Sequence, residues 1–174
     1  MTSAKLRYFI SFFIYIIIGV LIILLQSTGM MTLQIGTVST VLILPLTLYA
    51  GFYFGQYAGA VFGLLMGALT DAFSSVLMYN TVLLTLVGFF AGVFITYLFN
   101  RNFAAASVLA CGSSVLYFFA KWVIVYAFSD PATMFVLTHF SLPSSVYTAV
   151  FGVLMYFPLD FFFKKIPVST TRQW

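Results

Sequence analysis

Few side chains in this sequence could take part in chemistry. The acids are Asp71, Asp130 and Asp160, and they are joined by one histidine, His139, and one cysteine, Cys111. No nucleophile is paired with a base, and no glycine loop prepares a phosphate site. The acids, the imidazole and the thiol lack the spacing of a metal centre. The expectation is a non-enzymatic protein with no catalytic residue, no cofactor and no metal. One cysteine also forms no internal disulfide.

Two charged residues stand out because they fall in apolar surroundings. Asp71 ends a long apolar stretch, and Lys121 lies well inside another. A carboxylate within a membrane span is costly and is by default a candidate functional group. An Asp71–Lys121 pair would satisfy both charges. The alternatives are a carboxylate partly wetted near the headgroups and a lysine that snorkels to the surface. Sequence leaves both open. Asp160 precedes Lys164 by four, the favourable helical order, and reads as a local structural pair. His139 sits in a polar segment without a second ligand, and Cys111 reads as a small apolar packing residue.

The elements that carry these residues follow from composition. The 174 residues are 63% hydrophobic, 20% aromatic and 6% charged, whereas a soluble domain is about 25% charged. Mean hydropathy is +1.15. This is the composition of an all-α integral membrane protein. The net charge of +4 is spread over the chain and forms no basic patch, which argues against nucleic-acid binding and leaves membrane lipid as the surrounding partner.

The apolar runs predict one transmembrane domain with six transmembrane helices, at about 8–25, 35–52, 57–73, 81–99, 103–128 and 142–163, and a short polar tail at 166–174. The first run is longer than a signal-peptide core, and no small-residue cleavage site follows it, so it reads as an uncleaved span. Pro45 is expected inside the second span, bending it. A short interfacial helix is expected within 132–141. Six spans put both termini on one side, together with Lys5, Arg7, Arg101, Lys164, Lys165 and Arg172. The opposite loops carry only Asp130, so the positive-inside rule makes both termini cytoplasmic.

One stretch is organised by glycine. Gly51, Gly55, Gly59, Gly63 and Gly67 recur every four residues, and Asp71 takes the next place. Positions four apart share one stripe of a helix. In a membrane, small residues let another helix come close. A tight turn near 51–56 would assign Gly51 and Gly55 to the turn. Gly59, Gly63 and Gly67 then form the helix-contact or partner-docking face, with Gly88 and Gly92 as a second pair in the next span.

The run Gly59–Asp71 (GAVFGLLMGALTD) resembles the central signature of the rod shape-determining protein MreD family, in which a glycine-spaced third span ends in a Gly-Leu-x-x-Asp-like turn. Val87–Gly92 (VGFFAG) resembles the family's Val-Gly-Tyr-x-x-Gly stretch in the next span. His139–Thr148 (HFSLPSSVYT) resembles its Leu-Pro-x-x-x-Tyr-Thr entry into the last span, and Leu25–Thr28 (LQST) matches a common end of the first. The four places lie in the expected order and cover nearly the whole chain. Ala68 departs from the family's usual leucine, and the turn near Gly51 lacks a basic residue.

The resemblance implies a multi-pass subunit of the bacterial inner (cytoplasmic) membrane. It would belong to the elongation machinery, working with MreC, the actin-like MreB, the RodA polymerase and a class-B penicillin-binding protein. Its role would be to guide lateral peptidoglycan synthesis and keep cell shape. The implied fold is similar to the substrate-binding subunits of energy-coupling-factor vitamin transporters, and such a subunit is the rival identity. Against the rival, the first span is bulky and lacks the expected Ala-x-x-x-Ala pattern, and the outer loops are poor in polar groups for holding a vitamin.

Overall fold

A chain with this much Ile, Leu, Phe and Val has little water within reach of its backbone, so its N–H and C=O groups must satisfy one another, and helices do that within one segment. The computed structural model describes residues 3–27, 34–35, 38–39, 41–73, 79–97, 102–125 and 137–163. Six α-helices account for nearly all of them: α1 (Ser3–Ser27), α2 (Ile43–Phe54), α3 (Gln56–Phe73), α4 (Tyr79–Tyr97), α5 (Phe103–Val125) and α6 (Leu142–Phe163). A five-residue π-helical turn, Leu137–Ser141, leads directly into α6. Gln34–Ile35 and Val38–Ser39 form a minimal antiparallel pair, with Gln34 opposite Ser39 and Ile35 opposite Val38.

Four of these segments are long and apolar enough to cross a bilayer: Leu6–Ser27, Tyr79–Tyr97, Phe103–Ile124 and Thr138–Phe163. α2 and α3 are not among them, so the spans expected at 35–52 and 57–73 do not qualify by length and composition. The 12 residues of α2 rise about 18 Å, against about 30 Å of hydrocarbon. The second span expected at 35–52 is thereby corrected at its start. The Thr-, Val- and Ser-rich residues before Ile43 favour extended backbone over helix, and the structure pairs some of them as strands. Pro45 is the third residue of α2, within its first turn, where a missing N–H has no helical partner to lose. It starts the helix and does not bend a span.

The turn expected over 51–56 contracts to a single residue. Gly51 is helical and buried in α2. Gly55 alone breaks the chain, with φ of 91°, a conformation that only glycine adopts without strain. Its N–H closes on the Gly51 carbonyl at 3.0 Å, and its own carbonyl accepts from the Gly59 N–H at 2.9 Å, so α2 passes into α3 with no loop. Several expectations lie outside the described residues. They are residues 74–78 of the connection expected at 74–80, whose last two residues instead open α4, residues 100–101 of the polar turn expected at 100–102, residues 132–136 of the interfacial segment, the tail at 166–174, and Arg101, Asp130, Lys164, Lys165 and Arg172.

All 12 residues of α2 are buried. A helix that is apolar all round needs cover on every side, and α3, α4, α5, α6 and α1 supply it. Tyrosine hydroxyls fix the cover in place. From α1, Tyr15 donates to the Leu46 carbonyl at 2.7 Å and Tyr8 to the Phe54 carbonyl at 2.8 Å. Phe54 ends α2, where a carbonyl lacks a helical partner. From α2 itself, Tyr49 donates to the Gly152 carbonyl of α6 at 2.8 Å. The Tyr15 ring, fully buried, lies 5.0 to 5.5 Å from the rings of Phe54, Phe62 and Phe163, so one side chain of α1 touches α2, α3 and α6.

Tyr15→Phe keeps these ring contacts and deletes one hydrogen bond. It should lower the unfolding free energy by about 1 kcal/mol, whereas Tyr15→Ala, which also leaves a cavity, should lose about 3–5 kcal/mol. Unfolding of the purified protein in mixed detergent micelles measures both. A Phe variant as stable as the parent would remove the hydroxyl from this account.

Candidate functional site

The glycine series forms a seam in which backbone meets backbone. α3 and α4 run antiparallel, and each step of four along α3 meets a step of three or four back along α4. A Cβ on Gly59 would strike the Gly88 carbonyl, and one on Gly88 would strike the Gly59 carbonyl. A Cβ on Gly63 would meet the Leu84 carbonyl. On Gly67 it would lie 2.5 Å from the Thr81 Cα, and on Gly92 it would run into the Gln56 backbone. Gly51 joins from α2, where an added Cβ would strike the Gly88 carbonyl and lie 2.9 Å from the Gly92 nitrogen. The five glycines singled out in the sequence (Gly59, Gly63, Gly67, Gly88 and Gly92) are all buried here, and Gly51 belongs with them and not with the turn.

Asp71 lies at the far end of this seam, half-buried. Its Oδ2 accepts from the Thr81 N–H at 2.8 Å and from the Thr81 hydroxyl at 2.6 Å. Its Oδ1 accepts from the Asn80 N–H at 3.3 Å. Both nitrogens belong to the first turn of α4, where N–H groups have no helical partner and the helix dipole favours negative charge. The carboxylate caps α4 from the last turn of α3. Asn80 extends the network, since its Oδ1 accepts from the Tyr117 hydroxyl of α5. Asn80 and Tyr117 are each 3% exposed, so this is a buried polar link across three helices.

Lys121 is half-buried one turn beyond Tyr117 on α5, at the same end of the molecule as this network. Asp160 accepts from the Tyr53 hydroxyl at 3.4 Å, which joins α6 to α2, while its expected partner Lys164 lies outside the described residues. Cys111 is exposed on α5, which corrects its reading as a packing residue: the covered side of α5 carries Ala106, Ala110, Ser114 and Tyr117. His139 is exposed in the π-helical turn, its Nδ1 2.9 Å from the Thr138 hydroxyl. Among the described residues, no three His, Cys, Asp or Glu side chains come together as a metal site.

A cleft of about 680 Å³ lies between α4 and α5, with Leu48 of α2 at its floor. Phe90, Phe94, Leu109 and Leu116 are among its walls, and among the described residues Ser113 and Tyr117 bring its side-chain hydroxyls. Spacing alone did not reveal this cleft, nor the roles of Asn80, Thr81 and Tyr117. The first two did carry a signal, because Asn and Thr at the head of an apolar run mark a helix start. Tyr117 shares the helix face of Lys121, four residues on, but nothing local ties it to Asn80.

Two substitutions test this geometry. Gly63→Ala should cost about 1–3 kcal/mol through overpacking, read as a lower unfolding temperature and folded yield. Gly112→Ala, where an added Cβ meets nothing within 4 Å, should stay within about 1 kcal/mol of the parent. Asp71→Ala should cost about 0.5–2 kcal/mol through the lost cap, and Asp71→Asn, which keeps one acceptor, should cost less. Equal losses for Ala and Asn would show that the charge itself carries the effect. Compared with protein-family models, curated proteins and solved structures, the chain finds no match.

Proposed function

We propose that this chain is a non-enzymatic, multi-pass subunit of the bacterial cytoplasmic membrane that serves the cell-elongation machinery in the manner of MreD. Its role is to bind MreC and, through it, to help MreB, RodA and a class-B penicillin-binding protein lay down lateral peptidoglycan. All six helices then sit in the membrane, α2 as a short buried segment continuous with α3, and both termini are cytoplasmic. The reading rests on one observation above all. The stretch that resembles the family's signature, Gly59 to Asp71, is the stretch that closes α3 on α4 and caps α4. A motif with that structural duty suits a scaffold, in which helix placement is the function.

The rival, a vitamin-binding subunit of an energy-coupling-factor transporter, draws on the α4–α5 cleft. Its walls are almost wholly apolar, whereas small-molecule sites fix orientation with several placed polar groups. The scaffold reading is therefore preferred.

Depletion of the protein in its source bacterium, followed by microscopy, separates the two. Rounded cells are the expected outcome. Rod-shaped cells with a new vitamin requirement would overturn the proposal in favour of the rival. At the level of the glycine seam, Gly63→Leu should reduce folded protein. A variant that folds normally yet fails to capture MreC would instead make the seam a docking surface.

A further inference from the structure

We draw no further inference here: the strongest candidate, the apolar cleft between α4 and α5, carries nothing because nothing in the structure shows what covers it.

Discussion

Everything else in this molecule depends on how near three backbones come. Where Gly51, Gly59 and Gly88 meet, no side chain separates α2, α3 and α4. Apolar helices gain little by leaving lipid for one another, so their association relies on close packing and on hydrogen bonds made without competition from water. Dispersion falls away steeply with distance, and glycine brings the largest number of backbone atoms within range. The cost of glycine in a helix, roughly 1 kcal/mol against alanine in water, is offset here by contacts no larger residue could make.

The two sides of α2 are built differently. Toward α3 and α4 it offers glycine and lies flush. Toward α1 and α6 it offers the rings of Tyr49, Phe52, Tyr53 and Phe54, and the Tyr49 and Tyr53 hydroxyls and the Phe54 backbone carbonyl find partners there. Close approach on one face and aromatic filling on the other let a short helix be enclosed completely. Asp71 follows the same economy at the end of the hairpin. A carboxylate that would be expensive in lipid instead meets the N–H groups at the head of α4, which need an acceptor anyway.

Much of this was legible in the sequence, for identifiable reasons. The four-residue recurrence of glycine marks a stripe whatever the helix packs against, so Gly59, Gly63 and Gly67 could be grouped before any partner was known. The polar breaks around Asn80 and Asn100 bound long apolar runs, and helix boundaries fall close to them. The start of α2 was not legible, because a short run of Val, Ile and Leu fits a strand and a helix equally well. Spacing also could not separate Gly51 from Gly55, since the series is regular through both and only backbone geometry distinguishes them. That Asp71 caps the next helix was equally hidden. The answer lies with Asn80 and Thr81, nine and ten residues on, and with Tyr117 far beyond them.

The tyrosines of α1 bear on the order in which the chain is put together. Tyr15 bonds a carbonyl 31 residues further on, and Tyr8 one 46 residues further on. During synthesis α1 is complete before either acceptor exists. A phenol in hydrocarbon without a partner is costly, so the newly made α1 rests most favourably where its hydroxyls still reach water or headgroups. It gains its final depth only once α2 has emerged, and Phe163 completes the ring cluster around Tyr15 after nearly all the rest has been made. Of the six described helices, the earliest made is thus among the last to be locked in place.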